Sequence, residues 1–211
     1  MSAALARARP TSETVRARIL AATNRLIIER GERFTIQDVV KEAGIALQTF
    51  YRSFNGKDDL LLAAIAELIR VGCEQFRAQA ASTADPLERL RSHIDSVIGG
   101  LHHASDGGAS ARFVASQRIR LAGLFPAPAA LAEQPFVDLI EEELAAANRS
   151  GQAHSTDPAR DAYFITQLVL STYRHDAFTA VVDATLADDV WRFCLRAVGA
   201  TGGVLGAAVG Q

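Results

Sequence analysis

Residues 31–60 read GERFTIQDVVKEAGIALQTFYRSFNGKDDL, and this stretch decides the fold. Its spacing predicts two short helices, Ile36–Glu42 and Ala46–Arg52, on either side of Ala43-Gly44-Ile45. Gly44 stands where the tight turn between them requires a positive φ. Thr35 is placed to cap the first helix, with Asp38 three residues on as its capping-box partner. Phe34 and Val39 occupy the two positions of a hydrophobic staple. The pattern is a helix-turn-helix, and its second helix is of the kind that lies in a DNA major groove.

Upstream, apolar Val15, Ile19, Ala22 and Leu26 recur at helical spacing, so a helix begins soon after Ser12. Residues 1–11 are arginine-rich and are expected as a flexible basic arm rather than an organelle transit peptide. Downstream, a helix is expected from Gly56 or Lys57 to about Ala81, carrying Leu60, Leu61, Ala64, Ile65, Leu68 and Ile69. It joins the front module to the rest of the chain, so its tilt would set where the second helix of the motif sits. Asp85-Pro86 opens the next helix as cap and first turn. The Gly99-Gly100 pair, worth about 2 kcal/mol against a helix interior, ends or interrupts it. Further helices are expected over roughly Ala109–Leu121 and Pro135–Asn148. Asp157-Pro158 caps another, in which residues 162–173, AYFITQLVLSTY, are apolar nearly all round and need cover on more than one side. Thr185 with Asp188 caps a last helix bearing Trp191, Phe193 and Cys194, and the glycine-rich end beyond it is expected to be disordered.

Composition agrees with packed helices. Of 211 residues 49% are hydrophobic but only 7% aromatic, and no alternating run or hairpin signal argues for strands. Cys73 and Cys194 fall in apolar helical segments and are expected as reduced core residues. The net charge of −2 is unevenly spread. Residues 1–60 hold ten Lys or Arg against seven Asp or Glu; residues 61–211 hold twelve against seventeen, with no lysine. A basic front end and an acidic body suit a DNA-facing module on a body that does not touch DNA. No signal-peptide core and no membrane-spanning apolar run are present, so a cytoplasmic protein is expected.

The front module resembles the tetracycline-repressor (TetR) family of bacterial transcriptional regulators. The matching residues are Ile19-Leu20-Ala21-Ala22, Glu29-Arg30-Gly31, Phe34-Thr35, Ala43-Gly44-Ile45, Thr49-Phe50-Tyr51, Phe54 and Lys57-Asp58-Asp59-Leu60. The resemblance implies an all-α fold of about nine helices. Residues 12–56 would be a three-helix DNA-binding domain, residues 57–199 a helical ligand-binding and dimerisation domain, and residues 200–211 a disordered tail. It also implies a homodimer built from the last two helices, a double-stranded operator and a small-molecule effector.

Leu47, Gln48 and Thr49, at the start of the second motif helix, would face base edges. A glutamine amide can bind adenine N6 and N7 together, so Gln48 is the specificity candidate; its second reading is a solvated residue or a phosphate contact. Tyr51 and Lys57 match phosphate-binding positions of the family, and Thr35 and Gln37 match positions that contact the backbone. Thr35 has a purely structural alternative as a cap, and Tyr51 one as a packed ring. Phe50 and Phe54 read as core. Ala46 departs from the family pattern, which commonly has serine there to cap the helix or bind phosphate.

Within the body, the resemblance implies a pocket among the middle helices. Polar residues inside apolar stretches are the candidates to orient a ligand: His93, Gln117, Arg120, Tyr163, Gln167 and also His175. Val97, Phe113, Ile140 and Leu170 are candidate walls, and their apolar character favours a hydrophobic or aromatic effector. No cofactor is expected. His102-His103 with Asp106 invites a metal reading, but adjacent helical side chains diverge by about 100°, so no metal is expected either. Two rival classes stay in view: a helical dimer whose helix-turn-helix no longer binds DNA and that answers to no ligand, and a cofactor-free enzyme. The chain shows no nucleophile elbow, phosphate loop or zinc-ligand spacing that would favour the enzyme.

Overall fold

The computed structural model describes residues 11–100, 108–179 and 183–200. Among the described residues run nine α-helices, one 3-10 turn (Gly31–Arg33) and no strand. The helices are α1 (Ser12–Arg30), α2 (Ile36–Ala43), α3 (Leu47–Ser53), α4 (Lys57–Ala80), α5 (Pro86–Gly99), α6 (Ala109–Leu124), α7 (Pro126–Arg149), α8 (Pro158–Phe178) and α9 (Leu186–Ala197). The expected basic arm with Arg7 and Arg9, the pair His102-His103 with Asp106, and the chain beyond residue 200 lie outside the described residues.

Side-chain caps set four of these nine helix starts. The Thr11 hydroxyl accepts from the Thr14 amide to start α1. The expected capping box is formed at α2: the Asp38 amide donates to the Thr35 hydroxyl, and the Thr35 amide to the Asp38 carboxylate. Asp85 accepts from the amides of Leu87 and Glu88 at α5, and Asp157 from that of Arg160 at α8. The staple residues Phe34 and Val39 are both buried in one cluster.

Two sequence expectations need correction. The helix expected from Pro135 starts nine residues earlier, at Pro126, and Pro135 lies inside it. Pro126 and Pro128 sit in the first turn, where amides have no helical partner and proline is tolerated. Thr185 does not cap α9 through its side chain. Its hydroxyl and amide both donate to Asp183, while Asp188 binds Arg91 of α5 instead.

Two apolar clusters organise the packing. The front cluster gathers Ile19, Leu26 and Ile27 of α1, Val39 of α2, Phe50 of α3, Phe54, and Leu60, Leu61 and Ile65 of α4. It also takes Phe113 and Leu121 from α6, so the head rests directly on a helix of the body. The second cluster joins Leu90, Ile94 and Ile98 of α5 with Leu139, Ile140 and Leu144 of α7, Val169 of α8 and Trp191 of α9. Each fully buried Phe or Leu contributes about 1.5–3 kcal/mol over exposure, which fixes α3 against α1 and α2 despite its length of seven residues. Cys73 and Cys194 are buried free thiols, pushed up to about 11 by burial. No helix among the described residues is long and apolar enough to cross a membrane.

Candidate functional site

The turn between α2 and α3 is held from both sides. Gly44 adopts φ +61°, and the Ile45 amide closes back on the Val40 carbonyl at 3.1 Å. From α1, Arg18 Nη2 donates to the Ala43 carbonyl at 2.6 Å and the Gly44 carbonyl at 3.4 Å. Arg16 Nη1 donates to Ser53 O at 3.0 Å, at the end of α3, and its guanidinium sits 4.3 Å from the centre of the Phe54 ring. Cations at the carboxyl ends of two short helices complement their dipoles as well as their unpaired carbonyls. Both motif helices are therefore fastened to α1 before any DNA arrives.

With Phe50 buried, α3 turns Leu47, Gln48, Tyr51 and Arg52 outward. Leu47 and Tyr51, four residues apart, share one exposed ridge, and Gln48 and Arg52 share the next. The Tyr51 ring stands edge-on to Phe50, with centroids 5.2 Å apart, and the residue stays 54% exposed. Thr49 is half-buried, and Gln37 is exposed on α2. Arg52 and the exposed Lys41 of α2 were not singled out from sequence, although Arg52 follows Gln48 at helical spacing.

Thr35 and Lys57 are committed to internal contacts. The Thr35 hydroxyl donates to Asp38 Oδ2 at 2.7 Å, so its proton is already used. That bond, the Thr35 amide and Arg30 together hold the Asp38 carboxyl below its usual range. Lys57 Nζ donates to Phe34 O at 2.6 Å and to Glu32 O at 3.5 Å, and lies 4.4 Å from the Phe34 ring centre. Burial, with Arg120 nearby as a second cause, pulls the ammonium pKa below its ordinary value. Ala46 makes no side-chain cap, yet its φ of −80° and ψ of 149° are those of a capping residue.

Between head and body lies a cavity of about 360 Å³. Leu68, Ile69 and Phe76 of α4, Val97 of α5, Val114 of α6, Phe136 of α7 and Leu170 of α8 make it mainly apolar. Asn24, Ile27 and Ile28 bring α1, a head helix, into its wall. Its polar groups include Arg118 of α6 and Glu133 of α7, which form an ion pair, and Gln167 Nε2 donates to Glu133 at 3.3 Å from α8.

Of the residues proposed from sequence, Val97 and Leu170 line this cavity, and Gln167 reaches it through Glu133. The others are elsewhere. Phe113 packs edge-on beneath Phe34, centroids 6.4 Å apart, as part of the head cluster. Arg120 donates to Asp58 of α4 at 2.6 and 3.0 Å and to Gln117, which accepts at 2.9 Å. The Arg120 hydrogen bonds hold the Asp58 carboxyl below its usual range. Ile140 is fully enclosed in the body core. His93 is buried with Nε2 3.4 Å from Glu143, which also binds Arg89. Burial pushes the Glu143 carboxyl up, but the bonds from His93 and Arg89 outweigh it and leave the group below its ordinary value. Tyr163 and His175 are exposed on α8. Tyr163 stands against Phe164, ring centroids 5.7 Å apart, and both are more than half exposed, as are Phe178 at the end of α8 and Phe193 of α9.

Residues 19–64 match the family profile described as bacterial regulatory proteins, tetR family. The HTH-type transcriptional regulator EthR of Mycolicibacterium smegmatis is 34% identical over 90 residues, a stretch that covers 42% of this chain and 42% of EthR. Solved structures extend the likeness to the whole fold. RolR in complex with resorcinol superposes with a TM-score of 0.70 at 16% identity, covering 90% of each chain. A TetR transcriptional regulator from a Rhodococcus species superposes at 0.67 and 20% identity, covering 95% of this chain and all of that one. With the helix-turn-helix geometry of α2 and α3, these matches show that residues 19–64 are similar to the DNA-binding region of bacterial regulatory proteins of the tetR family, carried on a chain that shares the fold of solved TetR regulators.

Proposed function

We propose that this protein is a repressor that holds a near-palindromic operator as a homodimer and releases it when a small hydrophobic or aromatic molecule enters the cavity. One observation carries the reading: the cavity is walled by α1 of the head together with helices of the body. A molecule filling it therefore touches the element to which Arg16 and Arg18 fasten α2 and α3. Its differential affinity for two head positions is what would shift DNA binding. RolR, crystallised with resorcinol, has the same fold, which supports a small aromatic effector here.

Residues 12–56 act as the DNA-binding unit and residues 57–199 as the effector and dimerisation unit. Gln48 with Leu47 reads base edges, Thr49 flanks them, and Tyr51 and Gln37 meet phosphates. Thr35 and Lys57 act mainly by fixing the α2 start, and Arg52 and Lys41 add cationic surface. The exposed Tyr163, Phe164, Phe178 and Phe193 of α8 and α9 form the dimer face, which sets two reading helices at half-sites about one helical turn or more apart. A DNA target places the protein in the cytoplasm, and the reading requires neither cofactor nor catalysis.

Selection from random double-stranded DNA, followed by footprinting at two salt concentrations, tests this. A protected near-palindrome that weakens steeply with salt and is lost in Gln48→Ala plus Tyr51→Ala is the expected result. Folded dimer that enriches no sequence at either salt would refute DNA-directed function.

A further inference from the structure

One residue that lines the cavity carries a polar group that the protein leaves unsatisfied. Asn24 Oδ1, on α1, is buried and has no hydrogen-bond partner. An amide oxygen left so in an apolar wall loses its hydration without recompense, so such groups in folded proteins call for an explanation. The charged groups of the lining are satisfied between themselves. Arg118 is paired with Glu133, and Gln167 donates to that same carboxylate. The charge of that pair cancels, and the remaining lining is mainly hydrocarbon, with Ile69, Val114, Phe136 and Leu170 from four different helices.

We propose that the cavity takes an uncharged, mainly apolar molecule bearing a hydroxyl group, and that Asn24 is the residue that binds that hydroxyl. This rests on the reading of the cavity as the effector site and adds the chemical class and the anchor. The terminal amide torsion is broad, so a modest rotation turns the group into the cavity. A hydroxyl both donates and accepts, so it satisfies the amide through either of its ends. A carboxylate would have to open the Arg118–Glu133 pair and strand Glu133, a costly step in a half-buried site. The consequence for control is direct. The anchor belongs to the head, while most of the wall belongs to the body, so the bound hydroxyl fixes α1 with respect to α4–α8.

The test uses the full-length protein and three probes matched in shape: 4-propylphenol, its methyl ether 4-propylanisole, and 4-propylbenzoate. Affinities are read by calorimetry for wild type, Asn24→Leu, Asn24→Ala and a cavity-filling Leu170→Trp, with folding checked by circular dichroism. Wild type should prefer the phenol to the ether by about tenfold, the discrimination expected when a buried polar group is left unpaired. Asn24→Leu and Asn24→Ala should reduce that preference to within about threefold while the ether still binds. Leu170→Trp should abolish binding of all three. Equal affinity for phenol and ether in wild type, a preference that survives both Asn24 substitutions, tighter binding of the benzoate, or no binding of any probe would each overturn the proposal. Binding that persists in Leu170→Trp would instead remove the cavity as the effector site, which separates failure of the parent reading from failure of this one.

Discussion

Ala46 and Gly44 show how much of the reading head depends on single side chains. Ala46 has the backbone of a capping residue but no oxygen to offer the first turn of α3. Ala46→Ser should supply it and raise stability by about 1 kcal/mol in urea unfolding, with no change in fold. Gly44→Ala should do the reverse. At φ +61° an added Cβ is strained, and it would lie 3.4 Å from Arg18 Nη2, the group that closes the turn. A loss of about 1–2 kcal/mol in the same measurement, with weakened DNA binding, is expected. The residue scale is also where sequence reading was strongest in the head. Thr35, Asp38, Phe34 and Val39 lie close along the chain, so their roles could be inferred from spacing alone. It was weaker for Lys57. Its ammonium is engaged by the Phe34 carbonyl twenty-three residues away, a contact that no local pattern encodes.

Among elements, α8 and α9 carry the clearest unanswered surface. The nearly all-round apolar run in α8 predicts cover on more than one side; α5, α6, α7 and α9 all pack against the helix, while Tyr163 and Phe164 stay outward. Phe164→Glu plus Phe193→Glu should convert the protein to monomer by light scattering, with near-native helicity by circular dichroism, because charge at a desolvated apolar interface is strongly disfavoured. The same face would be expected to weaken operator binding when charged, since one reading helix grips a half-site only. Helix α7 marks the limit of element-level reading. Three prolines read as punctuation, yet two fall in the first turn and the third is absorbed into a 24-residue helix. Periodicity names the buried face of a helix but not the neighbour it meets. Ile140 and Phe113 were rightly apolar and inward; one belongs to the body core and the other lies under Phe34, and neither reaches the cavity. Asn24 escaped notice for the converse reason, being a polar residue in a head helix with no reason in its own sequence to face the body.

For the molecule as a whole, acid should loosen the tie that Glu143 makes between α5 and α7 through His93 and Arg89. Its folded pKa is below the ordinary 4.5, so the carboxylate contributes stability above that value and loses it as pH falls from 4.5 through the folded pKa. Wild type should therefore lose stability in that window. Glu143→Gln should lose about 2 kcal/mol at neutral pH and show a shallower decline in acid, both measured by urea unfolding across pH. The placement of the lysines has a practical side. Lys41 and Lys57 are the chain's two lysines, and both belong to the DNA-facing end. Amine-coupling chemistry, whether a fluorophore ester or a carboxymethyl sensor chip, will attach there or at the terminal amine and never on the body. Lys41, exposed where Lys57 is half-buried, should be the lysine that takes most of the label. A chip loaded that way would present the molecule by its reading surface and report a falsely weak operator. A handle placed on the lysine-free body leaves that surface clear.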